Sequence, residues 1–227
     1  MSESITTVSL FHYQGFRHRW WAFTQMGLAP SQLAKISGLQ FGKLMGSGGV
    51  DGFSILPNFG VYAFLGVWDN RQTAEACFDK HPWWQNALER SHEQLTFFLR
   101  PTIAHGLWDG QNPFSNPQSY DPKQPTAVLT RATIRTSKLA EFWQWVPKTS
   151  ASIYDHPSRL ISVGVGEYPL FMQATFSLWE SGKAMQEFAY HSKYHKEVVK
   201  LTRERNWYKE ELFARFTLID SVGNWSG

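Results

Sequence analysis

Apolar residues recur along this chain at alternate positions in some runs and at every third or fourth position in others, and the order of these runs repeats. A strand-like run over Thr6–Tyr13 leads into a helix-like stretch over Phe16–Met26. A Gly-punctuated strand over Leu39–Met45 and an apolar strand over Val61–Trp68 follow. Thr73–His92 is helix-rich, and Thr96–Ile103 closes the first half as a strand. The second half has the same signals over Ala127–Arg135, Ser137–Trp145, Leu160–Val165, Phe171–Trp179, Lys183–Arg205 and Leu212–Ile219. Strand, helix, strand, strand, helix, strand is the split βαβ, or ferredoxin-like, order.

Residues match across the halves as well as elements. Trp68 aligns with Trp179, Phe78 with Phe188, Leu95 with Leu212 and Trp108 with Trp225. Phe23 aligns with Phe142, and Gly46 and Gly48 with Gly164 and Gly166. The ordered series indicates an internal duplication. The expected fold is therefore α+β, two tandem ferredoxin-like repeats that pair their sheets in the manner of a dimeric α+β barrel. The expected boundaries are residues 1–110 for the first repeat, 111–125 for a Pro-rich linker and 126–227 for the second repeat.

Composition narrows the function. The chain has 227 residues, of which 16% are aromatic, including 11 Trp, which suits a large aromatic core or a pocket for a flat apolar ligand. A formal charge of +3 is too mild to indicate nucleic-acid binding. Cys77 is the single cysteine, so an intrachain disulfide and a multi-cysteine metal site are excluded. The first residues lack a secretory signal pattern, and the longest apolar run, Phe59–Trp68, is too short to span a bilayer. The expected location is cytoplasmic. Trp20-Trp21 beside Arg17 and Arg19 suits peripheral docking on an anionic membrane, or core packing of the tryptophans with the arginines solvated.

Two constellations could carry chemistry. His191 and His195 are four apart, on a face shared with Phe188, Val198 and Val199 if the helix is continuous. The first half has His81-Pro82 at the equivalent point, and a helix restarting there would keep His195 inward and lose His191. His195 is then a satisfied core histidine, half of a zinc pair, or the axial ligand of a haem iron. The second constellation is on strands, where Arg131, Gln173 and Arg215 interrupt apolar runs. These three line one cavity if they share a sheet face; otherwise the arginines are exposed or pair with acids such as Glu141 and Glu210. The remaining histidines, His156 among them, lack ligand spacing.

The chain also resembles a known family. WAFTQMGLA (Trp21–Ala29), FGKLMGSG (Phe41–Gly48), LTRATIR (Leu129–Arg135), FWQWVP (Phe142–Pro147), GVGEYPL (Gly164–Leu170), QATFSLW (Gln173–Trp179) and WYKEELFARF (Trp207–Phe216) are similar to stretches of the spheroidene monooxygenases. These are haem-containing acyclic carotenoid ketolases. The resemblance implies a haem-dependent monooxygenase that uses haem b iron and molecular oxygen to convert a polyene methylene to a hydroxy or keto product. It places the iron ligand at His195. Arg131 and Gln173 are then the expected catalytic donors to bound oxygen, with Arg131 first. Arg215, Phe188, Val199, Trp143 and Phe176 are the expected cofactor contacts. The implied partners are an apolar carotenoid, an electron donor such as a ferredoxin, and a further copy of the chain in a homo-oligomer. Two other readings stand beside this one: a haem-binding protein without oxygenase turnover, and a haem enzyme acting on a different small substrate.

Overall fold

The computed structural model describes residues 3–48, 56–114, 117–145, 156–168, 170–191 and 200–226. The chain runs β1 (Ile5–His12), α1 (Phe16–Leu28), α2 (Pro30–Leu33), β2 (Leu39–Gly48), β3 (Pro57–Trp68), α3 (Arg71–Lys80), α4 (Pro82–Arg90) and β4 (Glu93–Gly106). It continues through β5 (Thr126–Ile134), a short 3-10 turn at Thr136–Lys138, α5 (139–145), β6 (Arg159–Tyr168), β7 (Met172–Trp179), α6 (Gly182–His191) and β8 (Tyr208–Asn224). Residues 200–204 are helical.

Contacts divide the chain into two units. Unit 1 is Met1–Ser47, Asn58–Arg100 and Leu218–Gly227, and unit 2 is Gly48–Pro57 and Pro101–Thr217. In unit 1, β1 pairs antiparallel with both β3 and β4, and β2 lies beyond β3, giving the order β4-β1-β3-β2. In unit 2, β5 pairs antiparallel with β7 and β8, and β6 pairs antiparallel with β7, giving β8-β5-β7-β6.

Local chemistry sets the helices of unit 1. Asn70 caps α3, its side-chain oxygen accepting from the Thr73 amide at 2.9 Å. The helix-rich run expected over 73–92 breaks because Pro82 forces His81 out of the helical region, to φ −74°, ψ 125°. Pro82 then starts α4, and Trp83, Trp84 and Ala87 turn inward. Trp84 stacks on Phe78 at 4.1 Å and meets Phe64 and Phe11 edge-on at 5.6 and 5.5 Å. Trp68 donates its indole N–H to Thr7 at 2.9 Å, so this fully buried indole leaves no unpaired donor.

Within the stretch expected as a linker, residues 111–125, Phe114 and Tyr120 pack into unit 2. Phe114 is buried edge-on against Phe216 at 5.0 Å. Tyr120 lies so close to Gly182 that a Cβ there would fall 1.9 Å from its hydroxyl. The unit boundary is at Arg100, and the last ten residues belong to unit 1, where Asp220 pairs with Arg71 at 2.6 Å. A proline-rich composition marks irregular backbone, and here apolar side chains at intervals tie that backbone down.

Candidate functional site

Cross-strand partners share a sheet face, so the register of unit 2 sorts its side chains. Val128 packs against Trp179, Met185 and Phe188, which identifies the face that α6 covers. Thr126, Val128, Thr130 and Ala132 of β5 lie on it. Their partners there are Trp179, Ser177, Thr175 and Gln173 of β7, and Thr217, Arg215, Phe213 and Glu211 of β8. The opposite face takes Ala127, Leu129 and Arg131 with Leu178, Phe176 and Ala174, and with Phe216, Ala214 and Leu212.

The α6 face is apolar at one end and polar at the other. The Phe188 and Trp179 rings lie tilted with centres 5.0 Å apart, and His156 meets them at 5.7 and 5.4 Å. The His156 Nδ1 accepts the Ser158 amide at 3.3 Å, which leaves its proton on Nε2. Toward the other end come Thr175, Thr130, Gln173 and Phe213, half-buried or exposed. Arg215 stacks its guanidinium 3.5 Å from the Tyr120 ring centre, and its Nε donates to Thr102 at 3.3 Å. Among the described residues no carboxylate pairs with Arg215.

The same positions in unit 1 are filled. Counting from the matched pairs Ile5–Trp68 and Thr126–Trp179, Phe11 corresponds to Ala132, Tyr62 to Gln173, Phe64 to Thr175 and Phe98 to Arg215. Four aromatic rings pack under the helices in unit 1, where unit 2 has a methyl, an amide, a hydroxyl and a guanidinium. Tyr62 and Tyr13 show how dry that interior is: burial pushes the Tyr62 hydroxyl up to about 12 and Tyr13 beyond it.

Arg131 is on the opposite face from Gln173 and Arg215, so the three do not line one cavity. Its side chain is 1% exposed and bonds Glu210 through one guanidinium nitrogen. The other lies 3.6 Å from Glu167 and 3.8 Å from Asp109, and the guanidinium sits 5.4 Å from the Trp108 ring centre. Glu210 also accepts the amides of Asp109 and Gly110, at 3.1 and 2.9 Å. Those two residues have φ of 53° and 76°, the left-handed pair of a tight two-residue turn closed by Trp108 and Gln111. Burial opposes ionisation of Glu210, but the Gly110 and Asp109 amides and Arg131 outweigh it and hold the carboxyl below its usual range. The pairing of Arg131 with Glu210 is the acid-partner alternative open in the sequence, and it makes this cluster an anchor for the turn.

Phe188 and Arg215 share the α6 face with Gln173. Phe176 is buried on the other face. Trp143 lies at the β6–β7 turn, donating its indole N–H to the Leu170 carbonyl at 3.2 Å. His195, Val198 and Val199 lie outside the described residues, as does the side chain of His191. Sequence reasoning missed Thr130, Thr175, Phe213 and His156; the first three follow from register, while His156 has no local signal. Among the described residues no cluster of His, Cys, Asp and Glu could hold a metal ion, and no helix is long and apolar enough to cross a membrane.

No protein-family model matches the chain. It is 36% identical over 222 residues to the spheroidene monooxygenase of Cereibacter sphaeroides, covering 97% of this chain and 68% of that one. The Rhodobacter capsulatus spheroidene monooxygenase is 36% identical over 225 residues, covering 98% and 93%. A third, from Rubrivivax gelatinosus, is 29% identical over 210 residues, covering 92% and 80%. Among solved structures, aldoxime dehydratase matches with a TM-score of 0.68 at 13% identity, over 98% of this chain and 86% of that one. A second aldoxime dehydratase, in complex with butyraldoxime, matches at 0.62 and 10% identity, over 96% and 80%. At such identity the likeness is one of fold.

Proposed function

The chain belongs to the spheroidene monooxygenase family, and we propose that it inserts oxygen into an activated C–H bond of an acyclic carotenoid at the α6 face of unit 2, with haem b as cofactor. The observation that carries this reading is the replacement of Phe11, Tyr62, Phe64 and Phe98 by Ala132, Gln173, Thr175 and Arg215 at equivalent register positions. Replacing four rings with a methyl, an amide, a hydroxyl and a guanidinium leaves a half-buried face that is less filled by aromatics and carries hydrogen-bond donors, which suits a flat apolar group with polar edges.

These residues suit a haem. Arg215 is a cation without a carboxylate partner among the described residues, half-buried and braced by Tyr120 and Thr102, and would hold a propionate. Phe188 and Trp179 would supply apolar walls. His195 follows α6 in the chain and would be the iron ligand. Haem, when bound, supplies the activation of dioxygen. Gln173, on the same face as Arg215, would offer its amide N–H as a neutral hydrogen-bond donor there, without placing a fixed charge in the pocket. Arg131 would act through structure, holding the Asp109–Gly110 turn by way of Glu210. Each insertion consumes one dioxygen, two electrons and two protons, and releases one water. The electrons come from an external one-electron carrier such as a ferredoxin. A second insertion at the same carbon gives a gem-diol, which loses water to leave a ketone.

The matching strand orders of the two units support reading them as tandem ferredoxin-like repeats, one a scaffold and the other holding the site.

The test is expression in cells that accumulate an acyclic carotenoid, followed by mass spectrometry of the pigments and the visible spectrum of the purified protein. A gain of one oxygen with loss of two hydrogens identifies a ketone, and a Soret band identifies haem. His195→Ala should lose that band with the fold intact. Unchanged pigments in the presence of haem-loaded protein and a competent reductant would overturn the carotenoid assignment.

A further inference from the structure

Helix α1 does not follow the ordinary pattern of a surface helix. Its inner side is conventional: Ala22 is buried, and Trp21 and Met26 pack on the unit 1 core. Its outer side should be polar. Instead Phe16, Trp20 and Phe23, at i, i+4 and i+7, form one stripe away from the core and are 81%, 57% and 45% exposed. Phe59, at the start of β3 and 47% exposed, continues it. Successive ring centres along Phe16, Trp20, Phe23 and Phe59 are 6.3, 5.8 and 5.4 Å apart, so the rings form a single ridge. Singly scattered surface hydrophobics need no explanation, but a contiguous aromatic ridge does.

Charge says what covers it. No carboxylate occurs between Glu3 and Asp51, while Arg17, Arg19, Lys35 and Lys43 lie in that stretch. The whole chain has a formal charge of +3, so its entire positive excess resides here. Arg17 and Arg19 are exposed and fall on either flank of the stripe. Two copies joined ridge to ridge would bring these cations together with no acid in the stretch to offset them. An anionic lipid surface supplies the missing charge, and Trp and Phe are the side chains that favour the headgroup boundary.

We propose that the ridge of Phe16, Trp20, Phe23 and Phe59, flanked by Arg17 and Arg19, docks this protein on an anionic lipid bilayer. The inference rests on the proposed function only for its purpose, since an acyclic carotenoid dissolves in the bilayer and must be drawn from it.

The experiment is co-sedimentation of the full chain with vesicles of phosphatidylcholine, alone or with about 30% phosphatidylglycerol. The wild type should pellet with the anionic vesicles and much less with the neutral ones. Combining Phe16→Ser, Trp20→Ser and Phe23→Ser should lower partitioning by at least about 30-fold, with an unchanged Tm because these rings lie outside the core. Arg17→Glu with Arg19→Glu should lower it about tenfold, an effect that added salt reproduces in the wild type. A wild type that stays in the supernatant, or a triple variant that pellets equally well, would overturn the proposal. So would a wild-type dimer that the triple variant abolishes, without vesicle binding, which would assign the ridge to a second copy. Binding is read without substrate, so failure of the carotenoid reading would show separately, as no oxidation of detergent-solubilised carotenoid by a protein that still binds vesicles. The triple variant should keep that detergent activity and lose activity on vesicle-embedded carotenoid.

Discussion

Under the helices of unit 1, Phe11, Phe64, Phe78, Trp83 and Trp84 fill the space above the sheet with rings in mutual contact. On the matching face of unit 2, Ala132, Gln173, Thr175 and Arg215 take the places of four of unit 1's aromatics, and Thr130 and Phe213 reach solvent. The backbone register is the same in both, and the side-chain volume is not. One strand order thus carries a ring-filled interior in unit 1 and a half-buried face with polar atoms in unit 2, because the register fixes the backbone and leaves the side-chain volume to the sequence. The two arginine neighbourhoods divide in the same way. Arg131 is committed to Glu210, near Glu167 and Asp109, on the face away from α6. Arg215, on the α6 face, is braced by an aromatic ring and a hydroxyl, with its charge available.

The largest expected effect breaks the filled side. Trp84→Ala should cost about 3–5 kcal/mol of stability, read as a fall in denaturation midpoint, because Trp84 is fully buried against Phe78, Phe64 and Phe11. Haem content in the folded fraction should not change, since the ring belongs to the scaffold. Next comes Arg131→Leu, which leaves Glu210 and Glu167 without their buried cation and should cost about 3 kcal/mol. Calorimetry with parallel turnover assays separates the two roles considered for this residue. Lost Tm with retained turnover per folded molecule marks an anchor, and the reverse result would return Arg131 to the reacting centre.

Installing the unit 1 side chains in unit 2 is the sharpest contrast. Gln173→Tyr with Thr175→Phe should reduce turnover by about 100-fold or more, roughly 2.7 kcal/mol in the barrier, and weaken the Soret band while holding or raising Tm. An active, haem-loaded double variant would mean that this face is not the site. The smallest effect is on pH dependence. The Glu210 carboxyl is held below its usual range, so its contribution is present above the ordinary Glu value of about 4.3 and is lost as pH falls through the folded-state value. Tm should therefore decline as pH falls from about 4.3 toward the folded-state value, and Glu210→Gln should flatten the decline.

Several features were legible from the sequence because their causes are local. Alternation and helical spacing placed nearly every element, and Pro82 marked the break that separates α3 from α4. The likeness to the spheroidene monooxygenases, carried by motifs along nearly the whole chain, was visible too and is matched by 36% identity over 97% of it. Alternation on β7 and β8 correctly set Gln173 and Arg215 opposite the face of Phe176 and Phe216. On β5 it could not work, because both faces mix apolar and polar residues in the sequence: Ala127, Leu129 and Arg131 fall on one, and Val128, Thr130 and Ala132 on the other. Only pairing with β7 and β8 fixed Arg131 beside Ala174 and Leu212, where Glu210 meets it. The anchoring of the Pro-rich stretch was hidden for a related reason, since Phe114 and Tyr120 are held by Phe216 and Gly182, about 60 to 100 residues away in the chain. Periodicity reports which side chains want burial; what buries them, and from which side, is a matter of contacts between distant residues that only the tertiary structure decides.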